Sequence, residues 1–263
     1  MPVTSRAGLK HPDIATGIAQ QYLRLGKGMG SRMKFVAEHA DDLMQVLAPR
    51  TLVLELLAAA CYLRDPERFV EARSALLEVA PAIARHLRPA PSVILNELAL
   101  AIISSSSSTS YELAKSVRAS AHPDPLFTIA NWQCMILAAL VDLDLEDAVS
   151  LSQEVIEACE QKILTKAETE QALPWARASL LLARGNNDEA FSALRNVTTA
   201  HTSWLNRELD KIAKGASSGL SALPFCDLAT AALARLIVDF GFDAGATADE
   251  DFPFADFKWM HDA

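Results

Sequence analysis

Apolar positions in this chain recur every three or four residues rather than every second one, a period that predicts helices from end to end. The clearest unit is a helical hairpin over residues 172–197. Leu173, Ala176, Leu180 and Ala183 repeat at helical spacing, and Gly185 offers a stop. Asn186-Asn187-Asp188-Glu189 then fits an N-cap whose glutamate follows three residues on. The small Ala190, just inside the second helix, lets the two backbones approach closely.

Taken in order, the pattern predicts a helix over 13–25 that ends at Gly26-Lys27-Gly28-Met29-Gly30. These glycines follow a helix, whereas a phosphate cradle joins a buried strand to a helix N-terminus, so they read as a cap and linker. The next helix covers 31–47, with Phe35, Val36, Leu43, Met44 and Leu47 facing inward and Pro49 closing it. Helix pairs follow. A helix over 51–63 leads through Asp65-Pro66-Glu67 into 68–86. One over 92–103 leads through the serine run 104–108, read as an exposed loop, to the capping box Thr109-Ser110-Tyr111-Glu112 and a helix to 119. A third, over 127–141, leads through Asp144-Leu145-Glu146-Asp147 into a helix to 161.

Each second helix carries an alanine in its first turns: Ala72, Ala114, Ala148 and Ala190, spaced 42, 34 and 42 residues apart. Such a period belongs to helix-pair repeats of the tetratricopeptide kind. Only the 172–197 hairpin comes near that signature in its letters, so a closed or irregular stack fits as well as a regular superhelix. The fold expected is all-α: antiparallel hairpins stacked as a tetratricopeptide-like or irregular array. Its expected organisation is an N-terminal helix and glycine linker (1–30), a hairpin domain (31–241) and an acidic, aromatic tail (242–263). Within the domain, Thr165-Lys166-Ala167-Glu168 is a further capping box, and Pro174 kinks or restarts its helix. A polar helix over 202–214, a link over 215–219 and a helix from Ser221, with Pro224 in its first turn, to Gly241 complete it. The tail holds Phe252, Phe254, Phe257 and Trp259, either docked on the core or free for a partner.

Composition sharpens this picture. The 263 residues are long enough to bury a large core, and 51% are hydrophobic, with Ala and Leu favouring helices. A formal charge of −9 disfavours direct binding of nucleic acid, which needs clustered Lys and Arg, and favours a basic protein partner. Cys61, Cys134, Cys159 and Cys226 lie far apart in apolar stretches and read as buried thiols of a reducing compartment. The first residues lack the apolar core of a secretion signal, and the run Val93 to Ile103 is too short to span a bilayer. A cytoplasmic protein without a membrane partner is the expectation.

No motif argues for catalysis. Gly215-Ala216-Ser217-Ser218-Gly219 has the letters of a nucleophile elbow, but a charged helix precedes it where a buried strand is required. The six histidines show no metal spacing, and His39 among Glu38, Asp41 and Asp42 reads as a solvated face. No cofactor and no metal are expected. The acidic run Asp142, Asp144, Glu146 and Asp147 favours the helix that it opens, and it also suits a surface that meets a basic partner.

The C-terminal stretch carries Leu223-Pro224, Leu228-Ala229, Ala232-Leu233-Ala234, Asp239 and Gly241, then Asp251-Phe252-Pro253. In these residues it resembles the bacterial immunity protein 49 family, whose members protect against polymorphic toxins. The all-helical, Ala/Leu-rich layout before it is similar too. Phe254 and the long acidic tail depart from the family pattern. The resemblance implies a non-enzymatic inhibitor of a cognate toxin that acts in the cytoplasm, bound so as to mask its active site. Its partner-binding residues are then expected at Asp142, Asp144, Glu146 and Asp147, with Asp249, Glu250, Asp251 and Trp259 from the tail. The alternative is a tetratricopeptide-like adaptor holding a peptide or regulatory protein, with polar side chains turned inward on the first helix of each pair.

Overall fold

The computed structural model describes residues 8–26, 29–39, 42–87, 91–119, 128–216, 221–242 and 256–263. The described residues are 83% helical, and no strand occurs among them. The helices are α1 (Pro12–Leu25), α2 (Met29–Glu38), α3 (Leu43–Leu63), α4 (Pro66–Leu87), α5 (Leu95–Ile103) and α6 (Ser107–Ala119). They continue as α7 (Ile129–Val141), α8 (Leu145–Glu160), α9 (Lys166–Ala183), α10 (Asn187–Ala213), α11 (Leu228–Asp239) and α12 (Phe257–Asp262).

Local signals set most of these boundaries. Asp65 accepts the Arg68 N–H at 3.1 Å with Pro66 in the first helical position, Thr128 accepts from Asn131 at 3.2 Å, and Asp144 accepts from Asp147 at 3.1 Å. Thr165 and Glu168 form a reciprocal capping box. Gly185, at φ 78°, turns the chain out of α9 through the left-handed region.

The hairpins α3/α4, α5/α6, α7/α8 and α9/α10 stack in order, with α4 against α5 and α6, α6 against α7, and α8 against α9. Ala72, Ala114, Ala148 and Ala190 are all fully buried. Their repeat is the steric requirement of the close helix crossing. The array is closed at both ends. Helix α1 lies against α3 and α10, with His11 Nε2 2.7 Å from Asp210 Oδ1 and the Lys10 N–H donating to Asn206 at 2.8 Å. On the side of the first helices, a 3-10 turn (Leu223–Phe225) packs on α3, and α11 packs on α5, α7, α9 and α10. Nine residues of α11, Leu228 to Ala234 with Leu236 and Ile237, are buried. The inner face of the array is thus filled by the chain's own helix.

Several boundaries differ from the sequence expectation. The helix expected over 31–47 breaks after Glu38, and α3 runs on through Pro49. The cause is Asp42, whose carboxylate takes both the Gln45 N–H (3.3 Å) and its side-chain amide (2.7 Å), a capping pair that starts a new helix. Phe35, expected inward, is 39% exposed and stacks on His39. Helix α6 begins at Ser107, within the serine run, and Ser110 is buried. Asn186 precedes α10 but makes no side-chain cap hydrogen bond. Helix α10 continues unbroken through the polar stretch over 202–214, and α9 continues through Pro174. Ser221 does not cap α11: its hydroxyl oxygen accepts the Leu223 N–H at 3.1 Å beside the 3-10 turn, and α11 is opened by Asp227, which accepts from Thr230 at 3.1 Å. Gln45–Leu63 of α3 is long and apolar enough to cross a membrane by length and composition, and 67% of that stretch is buried inside the protein.

Candidate groove beside the acidic turn

The run Asp142 to Asp147 lies at the α7–α8 turn, where Leu143 takes a left-handed backbone (φ 58°). Its counter-ion comes from the last turn of α6. Arg118 reaches Asp142 at 3.4 Å, Asp144 at 2.5 Å and Asp147 at 3.2 Å, so one guanidinium gathers three carboxylates. The Asp147 N–H and then Arg118 hold the Asp144 carboxyl below its ordinary range. Glu146 is exposed and has no ion pair with a cation among the described residues.

Leu143 of the same turn lines a groove of about 780 Å³ between the α5–α6 turn, the ends of α7 and α11, and the first turns of α6. Tyr111, Val141, Leu143, Leu236 and Phe240 give it an apolar lining. Tyr111 is 52% and Leu143 70% exposed. At one rim Arg235 Nη2 meets Asp239 Oδ1 at 2.9 Å, a helical i,i+4 pair. The structure therefore joins an exposed apolar groove to a turn with excess negative charge. Sequence reasoning nominated the carboxylates but missed Tyr111 and Arg118 from α6, Leu143 within the acidic turn itself, and Arg235 from α11.

The tail residues divide. Asp249, Glu250 and Asp251, with Phe252, Pro253 and Phe254, lie outside the described residues. Trp259 is half-buried in docked α12, its ring centroid 5.0 Å from that of Phe69 and beneath the Arg64 guanidinium at 4.9 Å. Asp256 caps α12 and pairs with Arg64, while Arg73 donates to the Met260 carbonyl at 2.8 Å. Desolvation lowers the Arg73 pKa. The Trp259 ring is thus engaged by the core, and α12 packs as a terminal latch on α5 and α11.

Other reactive-looking groups serve packing. All four cysteines are buried, and burial pushes the Cys134 and Cys159 thiols up, which suppresses the nucleophilic thiolate. Among the described residues no cluster of His, Cys, Asp and Glu suits a metal ion. Gly215, at φ 68°, ends α10, so a helix stands where a nucleophile elbow requires a strand; Ser217 lies outside the described residues. Two buried carboxylates stitch the array. Glu97 receives Arg50 Nε and Nη2, both at 2.5 Å. Glu55 accepts the Ser221 hydroxyl and the Ala222 N–H, both at 2.5 Å, and the Leu223 N–H at 3.1 Å, which fastens the 3-10 turn to α3.

No family model matches the chain, and comparison with curated proteins and with solved structures finds no match. The residues that carry the immunity-protein resemblance are, where described, chiefly core positions: Ala232, Leu233 and Ala234 are fully buried, and Leu228 nearly so. Packing alone calls for such letters.

Proposed function

We propose that the protein is a toxin-neutralising inhibitor that holds a basic partner protein at the groove beside the α7–α8 turn. The observation that carries this reading is one juxtaposition: an apolar groove with exposed Tyr111 and Leu143, the latter from a turn with excess carboxylate, on a chain of net charge −9. Carboxylates of that turn steer a basic surface and set its orientation, while aromatic and aliphatic groups in the groove supply the buried anchors. The C-terminal resemblance to immunity proteins gives this partner its class, a toxin acting in the cytoplasm, and makes the protein a stoichiometric binder rather than an enzyme. An adaptor that held its peptide along the whole inner face would first have to displace α11.

The test is co-expression in bacteria with the product of the adjacent reading frame, scored for growth and for a co-purified one-to-one complex. Growth rescue with a stable complex supports the reading. A toxic neighbour with neither rescue nor complex refutes it.

A further inference from the structure

A second pocket, of about 320 Å³, opens where α5, α7 and α9 present their N-terminal halves beside the start of α11. Each of these three first helices contributes one amide side chain: Asn96 from α5, Gln133 from α7 and Gln171 from α9. They stand 37 and 38 residues apart, one per helix pair. All three are half-buried, and none has a hydrogen-bond partner among the described residues. The Trp204 ring forms an apolar side of the same pocket.

The ionisable groups here are already engaged. Asp227 takes the Thr230 N–H (3.1 Å) and hydroxyl (2.7 Å), and His201 Nε2 lies 2.7 Å from the Pro224 carbonyl oxygen. Among the described residues no lysine or arginine lines the pocket, so a phosphate or carboxylate ligand finds no counter-ion from them. What remains free is a row of paired donors and acceptors.

We infer that Asn96, Gln133 and Gln171 form an amide ladder that binds the main chain of an extended polypeptide. An amide side chain offers one carbonyl and one NH₂, the complement of a peptide unit's N–H and C=O. Packed helices lie about 8–10 Å apart, and an extended chain advances about 3.3 Å per residue, so neighbouring rungs meet peptide units about three residues apart. A single planar nucleobase is too small to reach three rungs with that spacing. Main-chain recognition tolerates varied side chains, with Trp204 favouring an apolar one.

The experiment pans phage-displayed random linear dodecapeptides against the full chain, then measures synthetic versions of the enriched peptides by fluorescence polarisation. Asn96→Ala, Gln133→Ala and Gln171→Ala should each weaken binding about threefold to tenfold, as loss of one neutral hydrogen-bonding group does. Methylating the main-chain nitrogens of the peptide should weaken binding comparably, while helicity by circular dichroism stays that of the parent. Substitutions at Leu143 or Glu146 should leave peptide binding unchanged, which separates this site from the groove above. The inference is overturned if panning returns no peptide, if the triple variant binds enriched peptides as well as the parent, or if adenosine monophosphate displaces them.

Discussion

At the scale of single residues, the protein keeps its charges where partners are fixed. Glu97 is 1% exposed, and its carboxylate is matched to Arg50 by two contacts with a further one from Arg50 to the Val93 carbonyl. Glu97→Ala strands a buried guanidinium and should cost about 3–5 kcal/mol in denaturant unfolding, whereas Arg50→Met with Glu97→Leu should recover most of it. Asp144 gives a pH signature. Its folded pKa is depressed, first by the Asp147 N–H and then by Arg118, so its stabilisation is complete above the ordinary carboxylate value of about 3.9 and is lost as pH falls through the folded value. Asp144→Asn retains a good cap but no charge. The parent should melt higher than this variant at neutral pH, and the gap in melting temperature should close as pH falls below the ordinary carboxylate range and through the depressed folded value. A gap independent of pH would remove the charge from the account.

At the scale of elements, helix-pair spacing was legible because a close crossing admits only a small residue. Ala190 is fully buried where α10 meets α9, so Ala190→Leu should destabilise by about 1–3 kcal/mol through overpacking, measured by thermal unfolding. Caps were legible wherever one side chain and one nearby N–H decide the matter, as at Asp65, Asp144 and Thr165. Misreadings arose where a local preference was overruled or a cap was overlooked. Pro49 reads as a helix end and Pro174 as a kink or restart, yet buried neighbours such as Val46, Val53, Trp175 and Ala176 hold both helices through the missing hydrogen bond. Asp42 with Gln45 carried a capping signal in plain letters, and it was read as the interior of a helix.

At the scale of the whole molecule, the decisive facts are relations between distant segments, and these leave no trace in a local pattern. The central position of α11, its anchorage through Glu55 and the closure of the array by α1 against α10 all depend on contacts over more than a hundred residues. The candidate groove is a similar case. Its acidic turn was visible as a charge run, but Arg118 lies 26 residues before Asp144, and the apolar lining is assembled from three further elements. The charge of −9 and the groove together yield the central claim, that a basic partner is neutralised at this face. The most direct measurement is growth rescue by the Leu143→Glu, Glu146→Lys double variant against the parent, each co-expressed with the adjacent toxic product. Both positions are exposed and should leave the fold intact, as judged by the melting temperature. The account predicts that the parent rescues growth and co-purifies with the toxin while the folded variant does neither; equal rescue by both proteins would contradict it.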